Sequence, residues 1–131
     1  MFSVISERKA VVDFLRMLKN ILESKEFDSD SDLIIITSKK NGLEKFSTPY
    51  TLVKLGYTAD DVVDTLRLLK IDNYSETLID KDNDEPPLLM VFGKDICGEL
   101  IYIKLKIRGE RKVICVSFHY AERDMNFPYR K

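Results

Sequence analysis

The sequence is short of the residues on which most binding chemistries depend. In 131 residues it holds one histidine, two cysteines, five glycines and four prolines. Cys97 and Cys115 form no Cys-x-x-Cys pair and have no second histidine to join them, which excludes the usual zinc ligand sets; both are expected to be reduced, packed thiols. The glycines build no phosphate-cradling loop, and there is no nucleophile elbow and no metal-ligand cluster, so a small-molecule enzyme lacks support. Neither charge sign prevails. With 21 basic and 22 acidic side chains the formal net charge is −1, which excludes a surface that binds polyanions everywhere and makes any nucleic-acid site a local one. No apolar run approaches the ~20 residues of a membrane span, and charge follows Met1 too soon for a signal peptide. The expectation is a cytosolic single domain over residues 1–131, needing no cofactor, no metal and no membrane.

What is present is a period-two pattern over residues 91–119. Ile101, Ile103, Leu105 and Ile107 alternate with Tyr102, Lys104 and Lys106, so a strand here separates an apolar face from a wet one. A second run places Ile114, Val116 and Phe118 on one side and Cys115, Ser117 and His119 on the other, and Arg108-Gly109-Glu110-Arg111-Lys112 between the runs is turn-like. A hairpin is expected, its register firmly set because a one-residue slip would bury lysines. The hairpin region is also basic: Lys94, Lys104, Lys106, Arg108, Arg111 and Lys112 outnumber Asp95, Glu99 and Glu110.

Residues 7–25 carry Val11, Phe14, Leu15, Leu18, Ile21 and Leu22 at helical spacing and predict an amphipathic helix. Leu33-Ile34-Ile35-Ile36-Thr37, bounded by turn residues, predicts a short strand buried on both faces. A second helix is capped by Ser47 or Thr48, holds Pro49 in its first turn and exits at Gly56. A third opens on the capping box Thr58-Ala59-Asp60-Asp61 and runs through Val62, Val63, Leu66 and Leu69 to about Lys70. Residues 73–79 suggest a strand and residues 80–85 an acidic loop. That loop begins like a calcium-binding EF-hand, but its sixth position is Glu85 where glycine is required and its twelfth is Val91 where a bidentate glutamate is required, so a solvated loop is the better reading.

Together these elements predict an α+β fold: three helices packed on one face of an antiparallel β-meander of three to four strands over residues 73–119. The other face would gather Tyr102, Lys104 and Lys106 from one strand and Ser117 and His119 from its neighbour, with Lys94 from the strand before. Such a set suits RNA cleavage within the strand. That reaction needs a base for the 2′-hydroxyl proton, an acid for the leaving oxygen and cations for the phosphate; histidine suits either proton task and lysine the third, while tyrosine can orient the phosphate or stack on a base. The same residues are also an ordinary way to keep an open sheet face soluble, and pattern alone favours that plainer account.

The strings Phe92-Gly93-Lys94, Gly98-Glu99-Leu100-Ile101-Tyr102-Ile103-Lys104-Leu105-Lys106, Cys115-Val116-Ser117-Phe118-His119-Tyr120-Ala121-Glu122 and Asn126-Phe127-Pro128-Tyr129 resemble the MqsR family of toxins from bacterial toxin–antitoxin systems, most closely its Gram-positive branch. The likeness runs from the first helix onward, includes Leu55-Gly56-Tyr57-Thr58, and is most specific over residues 92–129. It implies a RelE-like fold, an mRNA interferase that inhibits translation as an endoribonuclease, RNA as substrate and a cognate antitoxin protein as partner. Tyr102 stands at the Tyr of the family's Tyr-hydrophobe-Lys strand. His119 stands where the family has a Lys after Ser-Phe, a further family Lys falls at Ser75, and a family Gln falls at about Leu89. On this resemblance His119 exchanges protons, Tyr102 positions the phosphate, and Lys104 and Lys106 neutralise it. Lys94, Ser117 and Glu122 contact substrate, and Glu122 could also orient His119 or act as a base. The alternative is a non-catalytic protein- or RNA-binding module of the same fold, with residues 120–131 and their Phe127-Pro128-Tyr129 as a docking segment. Packing across the sheet edge is the plain account of that segment.

Overall fold

The computed structural model describes residues 2–37, 44–79 and 88–130. Along the chain lie β1 (Phe2–Val4), α1 (Arg8–Leu22), β2 (Leu33–Ile35), α2 (Thr48–Leu55), α3 (Ala59–Arg67), β3 (Tyr74–Ile79), β4 (Leu89–Ile96), β5 (Glu99–Arg108) and β6 (Lys112–Tyr120). The strands form one sheet in the order β1-β3-β4-β5-β6-β2, antiparallel throughout except that β2 runs parallel to β6. The α+β class agrees with the sequence reading; the number of strands does not. The meander is extended by an edge strand at each end: β2, the short strand expected within residues 33–37, and β1, whose three residues are too few to carry a readable alternation. β2 is also not buried on both faces. Leu33 is inside, but Ile34 and Ile35 are half-buried and Ile36 is exposed, because the outermost strand has a covered neighbour on one side only.

One face of the sheet is closed by helices. Val11, Leu15, Leu18, Ile21 and Leu22 of α1 and Val62 and Leu66 of α3 pack with Phe92, Ile101, Ile103, Leu105 and Phe118 in one cluster, and Phe14 stacks on Phe92 with ring centroids 6.0 Å apart. Each such fully buried side chain stabilises the fold by about 1.5–3 kcal/mol. The helix ends follow the sequence closely. Ser47 accepts a hydrogen bond from the Tyr50 N–H, and Gly56 takes the left-handed conformation at φ 69°. Both bonds of the Thr58–Asp61 box are made. α3 stops at Arg67, short of Lys70, because the chain then tightens into a 3₁₀ turn at Ile71–Asn73 that feeds β3. Asn73 ties this turn, accepting from the Lys70 N–H and donating to the Gly93 carbonyl.

The β5–β6 hairpin forms, but its register is not the simple alternation read from the sequence. Lys104 pairs with Ser117 and Leu105 with Cys115, so Val116 is an extra residue on β6, a β-bulge. Beyond it the faces exchange: Val113, Cys115 and Phe118 enter the core, and Ile114 shares the other face with Lys106. Cys115 is buried, and burial pushes its thiol up to about 12. Cys97 is not packed as expected. It lies exposed in the two-residue turn between β4 and β5, where Cys97 (φ 53°) and Gly98 (φ 83°) both take the left-handed conformation that such hairpin turns require. Residues 80–87, which hold most of the calcium-like string, fall outside the described residues; Val91, at its twelfth position, is fully buried in β4.

α2 lies against β6 where β2 has ended. There Thr48 and Thr51 turn their hydroxyls to the strand and accept hydrogen bonds from the Phe118 and Tyr120 N–H groups, at 3.0 and 3.3 Å. A helix thereby satisfies a stretch of sheet edge, as buried backbone donors require.

Candidate active site

The face turned away from the helices is a grid of side chains set by strand register. One row runs Glu76–Val91–Lys104–Ser117 across β3, β4, β5 and β6, and the next runs Gly93–Tyr102–His119. From these rows Glu76, Tyr102, Lys104, Ser117 and His119 line a cleft of about 540 Å³ whose remaining walls are Ser3, Ile5, Ser75 and residues 121–126. Five of the seven side chains singled out from the sequence meet here: Tyr102, Lys104, Ser117, His119 and Glu122 all line the cleft.

Lys94 is not among them. It pairs with Ile101, whose side chain is in the helix-side core, so Lys94 projects from the opposite face to Tyr102. The alternation of β4 puts Gly93 and Asp95, not Lys94, on the cleft side. Lys106 shares the face of Lys104 but lies one pair further along, opposite Ile114, and does not line the cleft. The basic hairpin is therefore divided between faces and ends rather than gathered; Lys112, for instance, is 3.9 Å from Asp32 at the far end of β6.

His119 is only 8% exposed and reaches solvent through the cleft. Its Nδ1 is 2.9 Å from the Tyr120 carbonyl oxygen; a carbonyl only accepts, so a proton sits on Nδ1, and Nε2 is the nitrogen left to take up or give one. Nδ1–H thus donates to a backbone carbonyl rather than to Glu122. The imidazole stacks on Tyr102 with centroids 5.2 Å apart and planes 13° from parallel, and the Lys104 ammonium lies 5.8 Å from the Tyr102 ring centroid. Burial, with Glu76 and then Glu122 nearby, holds the Tyr102 hydroxyl above the usual phenol range, so it remains a neutral donor. Among the described residues no group of three or more His, Cys, Asp or Glu side chains is placed to hold a metal ion.

The tail starts on the same face and crosses to the core side, where its Tyr129 packs against the core cluster. Phe127 and Met125 lie over Gly93, where a Cβ would stand 2.8 Å from Phe127 Cζ and 2.9 Å from Met125 Sδ. Beyond them Tyr129 stacks on Tyr74 and donates its hydroxyl proton to the Ser6 carbonyl at 2.6 Å, and the Arg130 guanidinium sits 4.0 Å from the Phe127 ring centroid. Packing across the sheet, the plain account of Phe127-Pro128-Tyr129, is what these residues do.

Sequence reading missed Glu76 and the wall residues Arg123 and Asn126. For Glu76 there was no signal. Tyr74 pairs with Phe92 and Glu76 with Val91, so Ser75 is an extra residue on β3; without that bulge Glu76 would share the core face with Tyr74. The cleft consequently carries Glu76, Glu122 and Asp124 against Lys104 and Arg123, three acids to two bases, and is not a basic platform.

The chain matches no family model, no curated protein and no solved structure. No helix among the described residues is long and apolar enough to cross a membrane.

Proposed function

We propose that the chain is the toxin of a bacterial toxin–antitoxin pair: a cytoplasmic endoribonuclease of the MqsR type, RelE-like in fold, that cuts mRNA without a metal ion and is silenced by a protein antitoxin. The observation that carries this reading is the Tyr102–His119 stack at the floor of a cleft also lined by Lys104 and Glu122. Two proton transfers and a charge sink are needed to turn an internal phosphodiester into a 2′,3′-cyclic phosphate and a 5′-hydroxyl. His119 supplies one transfer at Nε2, with its ring held from behind by the Tyr120 carbonyl. Tyr102, neutral and fixed by stacking, donates a hydrogen bond to the phosphate, and Lys104 meets the charge that builds on its oxygens. Arg123, at the cleft wall, takes the neutralising part expected of Lys106.

The test is incubation of purified protein with a long mRNA in EDTA. Cleavage that persists in the chelator and is lost in His119→Ala supports the proposal; intact RNA, under conditions in which a control nuclease cuts, or cleavage indifferent to His119→Ala, sinks it. Growth arrest on expression, relieved by the product of an adjacent reading frame, would support the antitoxin part. The lack of a basic excess in the cleft favours a second reading, a binding module without catalysis, which RNA retention without cleavage would mark.

A further inference from the structure

The chain has one histidine, and the proposed reaction moves two protons. We infer that Glu76 is the second proton-transfer group of the cleft, the base that takes the 2′-hydroxyl proton while His119 protonates the leaving oxygen. The inference rests on the nuclease reading and adds to it a residue that neither the pattern nor the resemblance singled out.

Its ground is the way the two side chains reach the cleft. Both do so through a β-bulge, and the two bulges are on different strands. The extra Ser75 turns Glu76 away from the core face that Tyr74 occupies, and the extra Val116 turns Ser117 and His119 away from the core face that Cys115 occupies. Bulges recur beside active sites because they re-aim single side chains without ending the strand. Here two of them aim a carboxylate and an imidazole into one cavity, from β3 and from β6, with Tyr102 and Lys104 on β5 between. That order suits a displacement at phosphorus, in which the attacking and leaving oxygens lie on opposite sides of the phosphate that Tyr102 and Lys104 would hold.

The titratable and charged groups facing Glu76 across the cleft are Tyr102 and Lys104 from β5, His119 from β6, and Glu122, Arg123 and Asp124 from the tail; its partner on β4 is the apolar Val91. Tyr102 stays protonated and is a poor base. Glu122 and Asp124 are exposed on an irregular segment, whereas Glu76 is half-buried on a strand hydrogen-bonded on both sides. Held on the more rigid element, it is the better-placed base. In the step itself His119 enters as the imidazolium, with a proton on each ring nitrogen. The 2′-oxygen gives its proton to the Glu76 carboxylate and bonds to phosphorus, the P–O5′ bond breaks, and O5′ takes the proton from His119 Nε2, leaving the neutral ring with its Nδ1–H on the Tyr120 carbonyl. The products are the cyclic phosphate and the 5′-hydroxyl, and no other reactant is consumed.

The experiment is the pH profile of single-turnover RNA cleavage by the full chain and its Glu76→Gln and Glu122→Gln variants. Binding of a 2′-O-methyl RNA and circular dichroism are measured beside it, with Glu76→Asp as the conservative variant. Glu76→Gln is expected to slow cleavage on the order of 10²–10⁴-fold, abolish the limb on which rate rises with pH, and leave 2′-O-methyl RNA binding unchanged, with partial rescue in Glu76→Asp. A rising limb that survives in Glu76→Gln, or that vanishes instead in Glu122→Gln, overturns the assignment and leaves the nuclease reading standing. A wild-type protein that cuts no RNA overturns both.

Discussion

On the helix side of the sheet Ile101, Ile103, Leu105 and Phe118 are fully buried; on the cleft side Tyr102, Lys104, Ser117 and His119 alternate with them along the same two strands. The first face is assembled from side chains that need only be apolar and of the right volume. The second depends on where single residues point, and at both ends of the cleft that is decided by one inserted residue, Ser75 or Val116. A hydrophobic face tolerates repacking among similar shapes, whereas a site does not tolerate a side chain on the wrong side. Phe118 and His119, adjacent on β6, make the contrast within a single peptide bond.

The comparison can be broken there first. Changing His119 to alanine should lower RNA cleavage about 10²–10⁴-fold and cost less in thermal unfolding than Phe118→Ala, since the ring, though largely buried, opens on the cleft; a large loss of stability with activity retained would make it a packing residue. One residue earlier the expectation reverses. Phe118→Ala should cost about 3–5 kcal/mol in denaturant unfolding, from lost burial and the cavity left behind, while cleavage per folded molecule holds. Gly93→Ala tests the tail as the cleft's wall: the new methyl displaces Phe127 and Met125, and faster proteolysis or amide exchange over residues 121–130 should accompany a loss on the order of 1 kcal/mol. The smallest effect separates the two cysteines. At neutral pH an alkylating reagent should modify the exposed Cys97 and spare Cys115 until the protein unfolds. Because burial raises the folded thiol from 9.0 to about 12, the unfolded chain loses that proton first; the contribution is therefore whole below about 9 and lost as pH climbs from there to about 12. Two thiols reacting at equal rates in the folded protein would contradict this placement.

Legibility followed the same divide. The α1 stripe, the Ser47 and Thr58 caps, the left-handed Gly56 and the β5 alternation could all be read because each is a local pattern with a local cause. The gathering of Tyr102, Lys104, Ser117, His119 and Glu122 was also legible, since one intact hairpin brings most of them together. Lys94 was misplaced because its face depends on pairing with Ile101, which the alternation within β4 does not state. Glu76 could not be found, because it is far in sequence from Tyr102, Lys104 and His119, lies on β3, and reaches His119 only across two intervening strands.

By itself the sequence determined the local choices: which segments coil, which extend, where helices begin and stop, and which side chains of β5 must avoid water. Those follow from backbone preference and hydrophobic period, which act over a few residues. Only the tertiary structure decided that three-residue strands close both ends of the sheet, that bulges aim Glu76 and His119 into one cleft, and that the tail lies over Gly93 as its wall. Each of these depends on contacts between residues distant in the chain, which exist only once the sheet has closed against its helices.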